Sequence, residues 1–256
     1  MRHKRTTELR YPGLSRGCVG AWAPCLGATG TIVRDWSPFR SSGTLASSSV
    51  TTALSMQGLV AGKQSITTVS AINQTLDLNT TLPSLAGQPA VTLVSWMRRS
   101  ASGDQFHAGT GSAGSLFSGM LLNSDNNVYF MVQPNFPSFP NSSVDWQCVA
   151  LTLASSTIDG YINGVRVVSS AGPAVFPTLG TLWQIGKYQF GNQFNNGSCA
   201  EFRAYSRPLQ AKEHRLLAIR PGIAYEVVRR RKTALVAGFR SHWARRQSLS
   251  QLAGAN

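Results

Sequence analysis

Residues 145–167 read DWQCVALTLASSTIDGYINGVRV. Two short apolar runs straddle Ser155, Ser156, Asp159 and Gly160, and Asn163-Gly164 follows as a second turn. Apolar runs of this length between turn residues read as strands, and Asn-Gly tolerates the positive φ angles of a tight hairpin. The stretch therefore predicts antiparallel neighbours whose inward faces fill a core. It carries little that could do chemistry by itself.

The same grammar extends in both directions. Upstream, AVTLVSWMRR (90–99) places Val91, Leu93 and Met97 on one face and Val94 and Trp96 on the other, which predicts a strand buried on both faces. SLFSGMLL (115–122) and NVYFMVQ (127–133) flank Asn123-Ser124-Asp125-Asn126, a four-residue hairpin signal. PNFPSFPN (134–141), with three prolines, predicts a surface loop. LWQIGKY (182–188) and SCAEFRAYS (198–206) read as two more strands. TIVRDW (31–36) reads as the first strand, and the Ser/Thr-rich 44–85 as short strands with ill-defined ends. Pro208 opens PLQAKEHRLLAIR, the one clear helical pattern of the body, and Pro221-Gly222 closes it. Many short strands and a single helix predict an all-β sandwich or jelly roll.

Composition agrees and adds an asymmetry. The chain has 256 residues, 42% hydrophobic and only 13% charged, enough for one sizeable core. Its 24 Lys and Arg against 10 Asp and Glu give a net charge of +14. Five of the basic residues fall in 1–16 and eight in 220–256, opposed only by Glu8 and Glu226, so the body is close to neutral. This divides the chain into a basic arm (1–16), a domain (17–219) and a basic tail (220–256), the tail carrying a basic amphipathic pattern around Leu235, Phe239 and Trp243. Basic ends imply an acidic partner. No apolar run approaches a membrane span, and the basic opening lacks the apolar stretch of a secretory signal, so no membrane insertion is expected. Cys18, Cys25, Cys148 and Cys199 show no zinc spacing and read as reduced thiols.

Taken together, these segments resemble the laminin-G-like, concanavalin-type jelly-roll family. The resemblance rests on Trp146, Val149 and Ala150, on Tyr161, Asn163 and Gly164 of the hairpin, and on Glu201, Arg203, Tyr205 and Arg207. RDWSPFRSSGTL is similar to the family's D-x-S-G-x-x-N-x-G-T-L motif at Asp35, Ser37, Gly43, Thr44 and Leu45. It implies a concanavalin-type β-sandwich with one short helix after the last strands, and it leaves activity open, because such domains bind sugars, proteins or surfaces and one branch hydrolyses polysaccharides. Family members that hold calcium use carboxylates and carbonyls in these regions. Here Pro38 stands for a Gly of the pattern, and Ser41 or Ser42 and Ala200 replace its polar Asn and Asp, which leaves Asp35 as the candidate calcium ligand and no cofactor expected.

Glycoside hydrolysis needs two carboxylates facing one groove. No two acidic residues fall within four positions of each other, so a non-enzymatic protein is expected. GTGSAG (109–114) satisfies GxGxxG but lacks a following helix. His107 reads as structural. Most tryptophans read as core, with sugar-stacking platforms a minority option. A body similar to extracellular domains, no export signal and basic ends are reconciled by a virion structural protein of a tailed phage. It would be a capsid decoration, tail or fibre component, assembled in the host cytoplasm and displayed on the particle surface. Its expected partners are further copies of itself and other virion proteins of capsid or tail, anchored through Arg229, Arg230, Arg231, Lys232, Arg240, Arg245 and Arg246. The alternative is a free carbohydrate- or protein-binding lectin-like module with surface glycans as partners. Direct nucleic-acid binding through residues 229–232 ranks behind both.

Overall fold

A computed structural model describes residues 7–9, 11–26, 32–46, 65–68, 75–78, 82–111, 117–177, 183–188, 193–194, 196–219, 221, 223 and 227–229. The strands are β1 (Thr7–Leu9), β2 (Cys18–Trp22), β3 (Ile32–Val33), β4 (Gly43–Ala46), β5 (Ile66–Thr68), β6 (Thr75–Asp77), β7 (Ala90–Arg99), β8 (Phe106–Gly111), β9 (Phe117–Leu122) and β10 (Asn127–Val132). They continue as β11 (Ser138–Pro140), β12 (Gln147–Ala154), β13 (Thr157–Ile162), β14 (Val165–Ala171), β15 (Trp183–Ile185), β16 (Lys187–Tyr188), β17 (Gln193–Phe194), β18 (Gly197–Tyr205) and β19 (Val227–Arg229). One α-helix, α1 (Ala211–Leu217), follows β18.

Two sheets make the sandwich. One runs β14-β13-β12-β7-β18-β2, with β5 also on β18, and the other runs β11-β10-β9-β8-β15-β6-β4-β3. Every named pairing is antiparallel. The all-β expectation holds, and the opening stretch forms a three-stranded meander, β12-β13-β14. Its first turn is Ser155-Ser156, at φ 50° and 57°, and its second is Asn163-Gly164, at φ 51° and 78°. Positive φ at both central residues matches the twist of the flanking strands. A Cβ on Gly164 would also sit 2.8 Å from Cα of Arg215, so this turn must be bare where it meets α1.

The core follows from the period-2 alternation. Val91, Leu93 and Met97 of β7, Val149, Leu151 and Leu153 of β12, and Phe202 and Ala204 of β18 face inward. They meet Phe106, Met120, Leu122, Phe130 and Trp183 of the opposite sheet. The other face of β7, β12 and β18 is buried too. Val94, Trp96, Cys148, Ala150 and Tyr205 pack under Leu14, Leu209, Leu217 and Ile223. A segment before β2 and the helix after β18 thus cover this sheet as a third layer, which explains why AVTLVSWMRR is apolar on both sides. Leu14 and Ile223 contribute to it from outside residues 17–219.

Three local expectations change. The first strand of the sandwich is β2, ahead of the 31–36 segment; its Gly and Ala residues, which allow it to lie under the covering layer, hide it from a hydrophobic-run reading. Of 31–36 only Ile32–Val33 is β3. The proline-rich 134–141 segment is not wholly loop, because β11 pairs with β10 at the sheet edge, where a proline costs no ladder bond on its solvent side. Gly109 and Gly111 of the GxGxxG stretch lie in β8. The amphipathic pattern at 235–252 lies outside the described residues. Among the described residues, no helix is long and apolar enough to cross a membrane.

Helix α1 is fastened by polar groups. Gln210 and Glu213 form a reciprocal capping box at its start, and Trp96 Nε1 donates to Leu217 O at 2.8 Å at its end. Between them His214 is buried, stacked on Tyr161 with ring centroids 3.8 Å apart, and its Nε2 lies 3.3 Å from Thr152 Oγ1. Burial pushes its pKa down to about 4, against the opposing pull of Glu213 and Asp159. An unfolded histidine titrates near about 6.5. Between these values the unfolded chain binds a proton that the folded chain refuses, so stability falls as pH drops, by roughly 3 kcal/mol at most. Urea midpoints measured from about pH 7 down to about pH 4 should show this decline, and His214→Gln should flatten it. A decline that His214→Gln leaves untouched would assign the acid sensitivity to another group.

Candidate functional site

Residues 32–36 are extended, and burial alternates through the bend that follows: Val33, Asp35 and Ser37 are buried, while Ile32, Arg34, Trp36 and Pro38 are exposed. The segment also changes sheets. β3 pairs with β4 at the edge of the eight-stranded sheet, and two residues later Asp35 bridges Trp22 of β2 at the edge of the other. Trp36 N donates to Ala21 O at 2.8 Å and continues that second attachment.

The Asp35 carboxylate holds the crossing in place. Its Oδ1 accepts from Ala21 N at 2.9 Å and Ser37 N at 2.8 Å; its Oδ2 accepts from Ser37 Oγ at 2.8 Å and Ser41 N at 2.9 Å. Ser41 O in turn accepts from Trp22 Nε1 at 2.8 Å. Bonds to an ionised acceptor are the strong class, and a short Asp side chain reaches backbone N–H groups just ahead of it. This is why D-W-S-P-F-R-S-S folds into a closed loop.

The exposed side of the loop borders a cavity of about 690 Å³. Arg34, Trp36, Pro38 and Arg40 line it from the loop, and Ser15, Cys18 and Arg203 line it from the segment before β2, from β2 and from β18. Trp36 is 40% exposed, the one exposed tryptophan among the described residues. The Arg34 guanidinium lies 5.7 Å from the centre of its ring, a cation–π arrangement. Neighbouring Phe39 is 61% exposed.

The floor is charged but internally compensated. Arg203 and Glu201 are almost wholly buried; Nε and one terminal nitrogen of Arg203 contact Glu201 Oε1. Arg203 NH1 donates to Tyr205 Oη at 3.3 Å, and Tyr205 Oη donates to Leu14 O at 3.1 Å. Glu201, Arg203 and Tyr205 alternate with the core-facing Phe202 and Ala204, so one strand serves both the core and the cavity floor. Just beyond it, Arg207 donates to Glu213 at 2.9 and 2.7 Å, to Gly13 O at 2.9 Å and to Arg16 O at 2.7 Å. These are the residues that carried the family resemblance, and they tie the covering layer down. Burial pushes the Cys18 thiol up to about 11, opposed by Arg203, so it stands at the cavity as a neutral thiol.

Asp35 does not suit calcium. Both oxygens point at hydrogen-bond donors, whereas a hard cation needs several free oxygen ligands. Among the described residues, no group of three or more His, Cys, Asp or Glu could hold a metal ion. Of the expected anchoring residues, Arg229 lies on β19, which pairs with β1; Arg230, Arg231, Lys232, Arg240, Arg245 and Arg246 lie outside the described residues. His107 is buried on β8. Sequence reasoning placed Trp36 only as the last residue of the expected first strand, TIVRDW. It missed Arg34 and Arg40, although the polar alternation in R-D-W-S-P could have drawn attention to them.

The chain belongs to the concanavalin A-like lectin/glucanases superfamily: residues 70–213 match its Laminin_G_3 family. Among solved structures it is similar to Trypanosoma rangeli sialidase, with a TM-score of 0.55 and 15% identity over 79% of this chain and 32% of that one. It is similar as well to a botulinum neurotoxin type C structure, described as depending on two ganglioside molecules for cell entry, at TM-score 0.57 and 10% identity over 80% of this chain and 51% of the other. The binding domain of botulinum neurotoxin DC, solved in complex with rat synaptotagmin II, gives TM-score 0.57 and 10% identity over 80% and 52%. The chain thus spans about a third of the sialidases and about half of the toxin chains. No curated protein matches it by sequence.

Two expectations are corrected by these matches. The non-enzymatic reading is overturned, because the fold is shared with part of a sialidase that has been solved as a covalent intermediate with difluorosialic acid. Its premise, the spacing of acidic residues along single strands, leaves out carboxylates brought together from different strands. The virion, capsid and phage reading is corrected too: what the chain is found similar to here is a lectin/glucanase superfamily, sialidases and toxin domains, which do not support it.

Replacing Asp35 by Asn turns one acceptor oxygen into a donor that faces two other donors. The Asp35→Asn variant should lose about 3 kcal/mol of stability, read as a lower urea midpoint. An unchanged midpoint would remove Asp35 from its place as anchor of the crossing.

Proposed function

We propose that the chain is a lectin-like binding module that takes a saccharide in the cavity beside the 34–42 loop. The observation that carries this reading is Trp36, an exposed ring held at the wall of a cavity of about 690 Å³ beside two exposed guanidiniums. A sugar ring has an apolar C–H face that stacks on an aromatic plane and hydroxyls that seek polar partners at its edge. Ser15 and Ser42 supply hydroxyls around the same space. A cavity of this size is within the usual range for small-molecule sites. Membership of a lectin/glucanase superfamily supports the reading, as does the likeness to a toxin whose cell entry depends on gangliosides.

The full chain applied to a glycan array should bind reproducibly and saturably, and Trp36→Ala should weaken the leading hits by about tenfold or more. A blank array, or hits indifferent to Trp36→Ala, sinks the site. Product analysis of the same mixtures scores hydrolysis, an activity found on chains that share this fold.

A further inference from the structure

The charges around the cavity are one-sided. The two that reach its exposed wall are Arg34 and Arg40, and neither forms an ion pair among the described residues. The two nearby carboxylates are spent. Asp35 is 2% exposed and saturated by four donors, and Glu201 is equally buried, behind Arg203. The remaining lining is hydroxyl, thiol and ring, so among the described residues the uncompensated charge facing a ligand is positive.

Guanidinium chemistry narrows the ligand further. A guanidinium presents paired N–H donors in a plane that matches two oxygens of a carboxylate or sulfate. Arg34 is oriented by the Trp36 ring beneath it, and Arg40 by a backbone turned to φ 54°, with Ser42 N on its carbonyl at 3.1 Å. Two guanidiniums set around a stacking ring therefore leave a neutral sugar with nothing to neutralise. A net charge of +14 adds a long-range field of the same sign.

From this we infer that the cavity selects acidic saccharides, sugars that carry a carboxylate or sulfate, over neutral ones. The inference rests on the glycan-binding reading and deepens it. Trp36 provides the stacking face common to any sugar, and Arg34 and Arg40 provide the anion selectivity. Carboxylate and sulfate present the same oxygens to the arginines, so both are tested.

Calorimetric titration of the full chain with 3′-sialyllactose, a sulfated lactose and lactose separates the outcomes. The acidic sugars should bind about tenfold or more tightly than lactose, and that advantage should shrink as NaCl rises from about 50 to about 500 mM. Arg40→Gln and Arg34→Gln should each cut acidic binding by about tenfold and weaken lactose binding less, so that the acidic-over-neutral ratio falls, with melting temperatures unchanged. Trp36→Ala should weaken all three. Equal affinity for lactose and the acidic sugars, with no effect of Arg40→Gln, overturns the acid selectivity and leaves the glycan site standing. Failure of every saccharide overturns both. Binding of a single-stranded oligonucleotide that is lost in Arg40→Gln, with no saccharide bound, reassigns the arginines to phosphate and overturns both as well.

Discussion

A single buried carboxylate fixes one crossing of the chain between the two sheets, the one beside which the cavity opens. Asp35 sits where the chain leaves the edge of one sheet for the edge of the other, and both its oxygens are filled by donors from β2 and from its own loop. Taking a carboxylate out of water is expensive unless its lone pairs are satisfied. Four donors meet that cost, and in doing so they close the 35–41 loop against Trp22. The exposed alternation of Arg34, Trp36 and Pro38 follows directly, because an extended segment anchored on one face must present its other side chains outward.

The same logic of two faces on one strand governs β18. Phe202 and Ala204 serve the core between the sheets, and Glu201, Arg203 and Tyr205 serve the layer outside. Burying ionised groups there costs stability against an apolar alternative of the same shape, but losing only one partner would cost more. What the polar row provides is orientation. Through Tyr205 and Arg207 it reaches Leu14, Gly13 and Arg16 on one side and Glu213 of α1 on the other. The covering layer is thus held by directional bonds as well as by apolar contact.

Much of the sandwich could be read from residues alone, for reasons that are local. β7, β9, β10, β12 and β18 are long enough for period-2 alternation to show, and the Asn163-Gly164 turn has its own chemical signature. The Ser155-Ser156 turn lacks a glycine, so its positive φ angles leave no mark in the sequence. β2 was hidden because Gly20 and Ala21 do not register as a hydrophobic run, and β11 because three prolines read as loop. The cavity was harder still. Arg34 and Trp36 are near neighbours in sequence, but Ser15, Cys18 and Arg203 reach them only through pairings that span most of the chain. The same long-range closure defeats any count of acidic spacing along one strand.

The short β1–β19 ribbon bears on how the molecule carries load. β1 and β19 pair antiparallel, with Thr7 opposite Arg229 and Leu9 opposite Val227, so the flanking chain on both sides departs from the same end of this ribbon. Tension applied through those flanks would open the rungs singly from that end instead of shearing them together. Such a zipper yields under little force. Its slack would be taken up before any pull is transmitted to the sandwich, making the ribbon a mechanical fuse.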